Sequence, residues 1–420
     1  MNNTSNKVIS ITIKLLSYII AMIIIMNCNT IYITSYNFEI LNKILFPILV
    51  ISGVVYAICN IFKYKLKIDN TFLIGISVAG YICIYILLSA LFSSNLIGIR
   101  LILYFIIFFV LAWTEKDRTQ LPAILKAYIN IMFLLAVISI FFWIFGSYFH
   151  FINPTGSTAI TWGIPNRIVP SYYNVYFETQ YSNIIAKNSS IFVEAPMAAL
   201  NFLISLSLNV LFLKKKKFQL IKTIIFIIAG LLTMSTAMYI GILILVIFKL
   251  FRKRSSSDKV QFIKYLLAVI IVPMIIWLIL NLFNLKMDTT SGFDRKLDYF
   301  NAISVWLNHP FMGAGINAGI SEGINIVNGE SIAHYGFSSS FTKILGDNGL
   351  FLLGLIILSI FISIKNSLKN RDYNRIVFTI ILMYLFMVIM FAQSYLMFYL
   401  FIFVAIWDPK KKLNYIKELE

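Results

Sequence analysis

Apolar residues gather along this chain in long runs rather than in alternation. Stretches such as Phe72–Phe92, Tyr265–Phe283 and Leu350–Ile364 approach the ~20 apolar residues that a helix needs to cross the hydrocarbon core of a bilayer. A transmembrane barrel would instead show segments of about ten residues with alternating polarity. The pattern predicts an all-α polytopic membrane protein, one integral domain over residues 1–420 with about twelve transmembrane helices. Spans are expected at roughly 8–26, 40–62, 72–92, 96–113, 124–148, 197–213, 218–233, 236–251, 262–283, 348–364, 374–391 and 394–407. The stretches 218–251 and 374–407 are basic at both ends, so each predicts two helices joined by a tight turn, near Ser235 and Gln393.

Composition strengthens this reading. The chain is 60% hydrophobic and 12% charged, whereas a soluble domain carries about 25% charged residues; a water-soluble enzyme is excluded. A formal net charge of +18 would suit a nucleic-acid partner, but the cations sit in short clusters between apolar runs. These clusters are Lys63–Lys67, Lys214–Lys217, Arg252–Arg254, Lys365–Arg375 and Lys410–Lys412. Under the positive-inside rule they mark cytoplasmic loops, which predicts both termini in the cytoplasm and no nucleic-acid partner. Lys7 precedes an apolar run, Val8–Met26, with no small-x-small site after it, so an uncleaved first helix is expected. Cys28, Cys59 and Cys83 show neither metal-ligand spacing nor a disulfide pattern and read as core or lipid-facing side chains.

The same threading leaves two long segments on the outer face, about 149–196 and 284–347. They hold all three histidines (His150, His309, His334) and acids including Glu178, Glu194, Asp294, Asp298, Glu322, Glu330 and Asp347. Long loops among otherwise short connections are where function concentrates, so extracytoplasmic chemistry is expected. The sequence contains no Walker-type loop, no His-Glu-x-x-His, no Gly-x-Ser-x-Gly and no paired-cysteine metal site, which argues against an ATP-driven pump and a zinc protease.

Within the second loop, Phe293–Trp306 predicts a helix that ends at Asn308-His309-Pro310. Gly313, Gly315 and Gly319 follow. Such glycine density allows backbone amides to approach an anion; it equally describes a turn returning the chain to the membrane. Asp347 is expected to cap a helix opening at Gly349.

The order of these elements resembles the O-antigen polymerase and ligase family. An Arg precedes a His309-Pro310-Phe-Met-Gly313-Ala-Gly315 turn, similar to that family's "hPlxGxG". A polar stretch with His334 then leads to Leu345-Gly-Asp-Asn-Gly349-Leu-Phe-Leu-Leu-Gly354, similar to its "E-x-G-l-x-G" helix start. Upstream, Ser190-Ile-Phe192-Val-Glu194-Ala-Pro196 resembles "G-x-F-x-E-P", and Leu232-Thr-Met-Ser235-Thr-Ala resembles "T-l-S-R". The chain departs from the family at Ser235, followed by Thr rather than Arg, and near Lys187-Asn188, where Lys187 stands in for an Arg. Where ligases place a His-Asn pair it has Ser338-Ser339-Ser340, which favours polymerase over ligase.

The resemblance implies a GT-C-like glycosyltransferase of the bacterial inner membrane, an O-antigen polymerase without cofactor or metal. It would join undecaprenyl-diphosphate-linked oligosaccharides at the periplasmic face by inverting transfer, within the bilayer and alongside a chain-length regulator and a flippase. A flippase or sugar transporter, or an O-antigen ligase, is the alternative. Diphosphate is a good leaving group, so the site needs cations to hold its charge and a base to take the hydroxyl proton. Arg295, Lys296, Arg167 and Lys187 are the outward cations. Arg100, inside a predicted span, joins them or else snorkels to the interface; Arg295 alternatively pairs with Asp294 or Asp298 on an exposed helix. Glu194 or His334 is the base, and Glu194 equally reads as a charge complementing the dipole of the helix it precedes. His309 and His150 read as interfacial or turn residues.

Overall fold

The computed structural model describes residues 3–35, 38–92, 98–162, 166–182, 185–214, 216–252, 273, 290–315, 325–327, 330–332 and 337–408. Besides a single turn at Ile31–Thr34, its helices among the described residues are α1 (Asn3–Met26), α2 (Glu39–Tyr64), α3 (Asn70–Phe92), α4 (Gly98–Trp113), α5 (Ala123–Phe142), α6 (Ala195–Phe212), α7 (Lys217–Leu231), α8 (Thr236–Arg252), α9 (Thr290–Asn308), α10 (Ser340–Lys369), α11 (Tyr373–Val388) and α12 (Tyr395–Ile406). Of these, all but α9 lie on a predicted span, and the expected span 262–283, apart from Pro273, falls outside the described residues. The protein is an all-α polytopic membrane protein. Among the described residues six helices, α1, α2, α3, α5 (with its extension to Tyr148), α6 and α10, are long and apolar enough to cross a bilayer.

In a bilayer, lipid-facing surface is as apolar as the core, and burial separates helices by position rather than by hydropathy. α6 is the central helix: 83% of its apolar window is buried, against 17–39% for the other five. Several of its polar groups are satisfied inside the bundle. Asn201 accepts from the Tyr128 hydroxyl of α5 at 2.7 Å and donates to the Met197 carbonyl one turn earlier. α3, the least buried, exposes Leu73, Ile74, Ile76 and Ile84, side chains suited to lipid contact.

The two expected hairpins are present. α7 turns into α8 at Leu232–Ser235, and α11 into α12 at Ile389–Ser394, each through one non-glycine residue in the left-handed region, Met234 (φ 50°) and Gln393 (φ 62°). These turns share one end of the bundle with the segment after α1 and the segment before α6, and side-chain amides and hydroxyls tie the four together. Asn29 donates to the Met390 carbonyl and Asn27 accepts from the Tyr395 amide, both at 2.9 Å. Asn188 donates to Ser139 and the Ala229 carbonyl, while the Val193 amide donates to the Asn29 carbonyl. Ser340 donates to the Ile389 carbonyl and accepts from the Phe391 amide, so the Ser338-Ser339-Ser340 run fastens α10 to the α11–α12 turn.

The outer segment between α5 and α6 folds into small antiparallel ribbons: β1 (Gly156–Ile160), β2 (Arg167–Tyr172) and β3 (Tyr176–Phe177) in the order β1-β2-β3, then β4 (Tyr181–Ser182) paired with β5 (Ile185–Ala186). In the second segment, β6 (Asn325–Val327) pairs with β7 (Glu330–Ile332).

The expected helix over 293–306 is α9, and it ends where Asn308-His309-Pro310 predicts. Nearby, the turn reading of the glycines holds and one expectation is corrected. The glycine turn is not an open anion cradle: the Ala314 and Gly315 amides donate to the carbonyls of Gly346 and Asp347 at 2.9 and 3.0 Å, inside α10. Nor does Asp347 cap a helix opening at Gly349. α10 begins at Ser340, with Ser339 accepting from the Thr342 amide as its N-cap, and Gly349 (φ 58°, ψ −157°) is a kink within it. Asp347 instead forms a buried ion pair with Lys343 at 2.8 Å, one turn earlier. The kink exposes backbone that the glycine turn satisfies, with the Leu350 and Phe351 amides donating to the Pro310 and Phe311 carbonyls at 3.0 Å. Gly313 and Gly349 sit backbone to backbone: a Cβ on Gly313 would lie 2.4 Å from the Asp347 carbonyl carbon, and one on Gly349 2.6 Å from the Gly313 nitrogen.

Candidate functional site

Glu194 is the residue immediately before α6, extended at φ −149° and ψ 151°, and its side chain makes no capping hydrogen bond to the helix. Pro196 in the first turn lacks an N–H, so that turn asks for little capping. The carboxylate turns outward instead, where Trp162 donates its indole N–H to Oε1 at 2.7 Å. Arg167 and Arg295 lie close enough for their charges to act on it. Burial pushes the Glu194 carboxyl above the usual carboxylate range, against the opposing pull of the Trp162 hydrogen bond and the two guanidinium groups.

Each member is placed by a different element. Arg167 opens β2, opposite Ile160 of β1, and its Nη2 lies 3.5 Å from the Val193 carbonyl, against the segment that carries Glu194. Arg295 stands on the second turn of α9, beside Tyr299, whose hydroxyl donates to the Met387 carbonyl at the end of α11. α9 is held in place by Asp298, which accepts from the Ser338 amide at 2.7 Å. Two stretches far apart in the chain, 162–194 and 295–299, thereby meet at one end of the bundle.

Arg167 also faces a cleft of about 380 Å³ with Lys187, Glu178, Thr179, Gln180 and Tyr181. Glu178 is held by the hydroxyls of Tyr172 and Tyr181, each at 2.7 Å, and burial, with the carboxylate's help, pushes both phenols up. Gln180 accepts from the Ala195 amide at 3.1 Å, which ties the cleft wall to the start of α6.

Of the expected site residues, Arg167 and Arg295 lie within electrostatic reach of Glu194, and Lys187 joins Arg167 across the cleft. Arg100 is exposed near the start of α4 and Lys296 is exposed on α9. His334 lies outside the described residues, as does the Asp294 side chain. His150 follows the π-helical extension of α5 at φ 54°, and His309 donates its amide to the Val305 carbonyl at the end of α9; both stand in turns, as expected. Trp162 and Gln180 went unread in the sequence, where nothing separates a functional tryptophan from any other in an outer loop.

Among the described residues, no three His, Cys, Asp or Glu side chains gather as a metal ion would require. What the arrangement offers is a proton acceptor beside two forks that can each bind two oxygens.

No curated protein matches the chain. A family model described as Wzy_C, O-antigen ligase, matches residues 221–357. That segment contains Arg295, the glycine turn and the kink of α10, whereas Glu194, Arg167 and Lys187 precede it. The match covers about a third of the chain, and its description is consistent with the polymerase and ligase family that the order of motifs resembles.

Proposed function

We propose that the protein is an O-antigen polymerase, which extends a surface polysaccharide by joining undecaprenyl-diphosphate-linked repeat units at the periplasmic face of the inner membrane. The observation that carries this reading is that Arg167 and Arg295 act electrostatically on the buried carboxyl of Glu194 from two separate outer segments. A sugar hydroxyl of one lipid-linked unit attacks the anomeric carbon of the glycan on another. Its proton passes to Glu194, the bond from the anomeric carbon to the diphosphate oxygen breaks, and the anomeric configuration inverts. Arg295 and Arg167 hold the charge that develops on the departing diphosphate, the kind of preorganised stabilisation that dominates group transfer.

The electrostatics suit this division of labour. A carboxylate beside two guanidinium groups is ordinarily a weak base, because the cations favour its charged form. Burial outweighs them at Glu194, bringing its proton affinity toward the range in which general bases work. Lys187, on the far side of Arg167 in the cleft, is positioned to take a further charge of the same substrate. His334 remains the second candidate for the base.

The description of the matched family favours a second reading, an O-antigen ligase that moves finished polymer to a lipid core. A strain lacking the gene separates the possibilities. Surface glycan reduced to single repeats supports the polymerase. Long polymer left off the lipid core supports the ligase, and loss of all surface glycan points to a flippase. Complementation with wild type but not with Glu194→Gln, at equal protein level, ties the phenotype to the site.

A further inference from the structure

α9 has two faces of opposite use. Asp298, Asn301, Ala302 and Val305, spaced three and four residues apart, are buried against the bundle, with Ala302 against Gly346 of α10 and Tyr299 against Phe341 at 6.3 Å between ring centres. On the opposite side, Phe293, Phe300, Ile303 and Leu307 form a second stripe. They are 50, 70, 42 and 66% exposed. Phe311, just beyond the helix, is 71% exposed. An apolar stripe this long, turned away from the protein, is rare on a water-facing surface.

The depth of α9 follows from its attachments. Its middle is fixed to Met387, at the end of α11, through the Tyr299 hydroxyl. The turn that follows it is hydrogen-bonded to Leu350 and Phe351, where the long apolar arm of α10 begins. Both points are ends of membrane helices, so the helix, 19 residues and about 28 Å long at 1.5 Å per residue, lies along the boundary where those helices leave the hydrocarbon. Its exposed stripe is continuous through Phe311 with the outward side of α10, where Leu350, Ile357, Leu358 and Phe361 are exposed. Lys296 is exposed on the same side, and a lysine at such a place can lay its stem on apolar surface and lift its ammonium to the headgroups.

We infer that α9 is an interfacial helix whose Phe293–Phe300–Ile303–Leu307 face is immersed in the acyl boundary of the outer leaflet, its occupant being lipid rather than water or another protein. An apolar face with a basic residue at its margin is the composition of helices that lie in the membrane plane. The inference does not rest on the proposed reaction.

Spin labels test it in liposomes of phosphatidylethanolamine and phosphatidylglycerol. With Cys59 and Cys83 replaced by alanine, single cysteines go in as Phe300→Cys and Leu307→Cys, with Ile357→Cys as a lipid-facing reference and Asn174→Cys as a water-facing one. Collision with oxygen, which concentrates in the bilayer, is compared with collision with a water-soluble nickel chelate. The expected result is that labels at 300 and 307 favour oxygen as the label at 357 does, and the label at 174 favours nickel. A nickel preference at 300 and 307 overturns the inference, as does shielding from both reagents, which would mean that protein covers the face. If either cysteine variant fails to fold, Phe300→Trp and Phe293→Trp with brominated lipids replace it; fluorescence quenched no more than in unbrominated liposomes is then the overturning result.

Discussion

Charged residues gather at both ends of the bundle, and the two gatherings are built on opposite principles. At the basic end, Lys116 is ion-paired with Asp69, which also accepts from the Trp113 indole at 2.9 Å. Arg118 pairs with Glu115 at 2.5 Å and donates to Asn60, and Glu115 in turn accepts from the Ala123 amide. At the other end, Glu194 has one neutral donor, Trp162, with two guanidinium groups near it. The carboxyls respond in opposite directions. Burial alone would raise Asp69, but the hydrogen bonds from Lys116 and Trp113 outweigh it and hold the group well below the usual range; Glu194 is left above it. Asp69, matched by a cation and an indole N–H, is held in its charged form. A carboxyl whose burial is only partly offset is available to exchange a proton.

The contrast is sharpest if each end is broken in turn. Glu194→Gln keeps an acceptor for Trp162 but removes the proposed base, and on the polymerase reading chain growth should fall about 10²–10⁴-fold, read as a ladder collapsed to single repeats at unchanged protein level. The pH dependence carries the same message. The base works deprotonated, so the rate of the parent enzyme should fall with decreasing pH through an inflection above the ~4.3 of an ordinary glutamate. A raised carboxyl pKa contributes stability that is fully present below the unfolded pKa and lost as pH rises through the folded one. Glu194→Gln should therefore be at least as thermostable as the parent at neutral pH, which a melting curve in detergent checks.

Lys343→Met probes a third arrangement, the buried pair inside α10. Leaving Asp347 buried without its cation should cost about 3–5 kcal/mol, and adding Asp347→Leu should recover most of it; equal melting temperatures for the single variant and the parent would show the pair to be dispensable. Arg295→Ala should cost about 3 kcal/mol of transition-state stabilisation, or roughly a hundredfold in rate, while Arg295→Lys recovers only part because the two-oxygen fork is lost. If Arg295 serves only as a partner on an exposed helix, the ladder will not change. Smallest of all is Lys116→Met at the basic end. Asp69 is 35% exposed, so the pair is worth about 0–1 kcal/mol, and the ladder should be untouched.

The fold was largely legible in the sequence because a bilayer demands continuous apolar length, and that demand appears directly as runs such as 72–92 and 124–148. α9 was legible for a different reason, the three-and-four spacing around Asn301 and Ala302 bounded by Pro310. The start of α10 was not. Ser338–Lys343 is polar and reads as loop, and only the hydrogen bonds of Ser340 to Ile389 and Phe391 explain why a helix begins there. The candidate site was legible as a list of groups and illegible as a place. Glu194, Arg167 and Arg295 stand out singly as charges in outer segments, but their meeting depends on how β2 and α9 fold back on the bundle, a long-range arrangement that no local pattern encodes. Trp162 had no signal at all.

Gly313 and Gly349 lie in what read as two separate motifs, yet a side chain on Gly313 would strike the main chain of Asp347 and Asn348, and one on Gly349 the main chain of Phe311 and Gly313. The two positions are one joint, and the joint links the helix carrying Arg295 to a helix that crosses the membrane. A side chain at either glycine would force the turn off the kink and carry the helix that bears Arg295 with it, so a substitution made in a membrane helix would be felt at the outer segment.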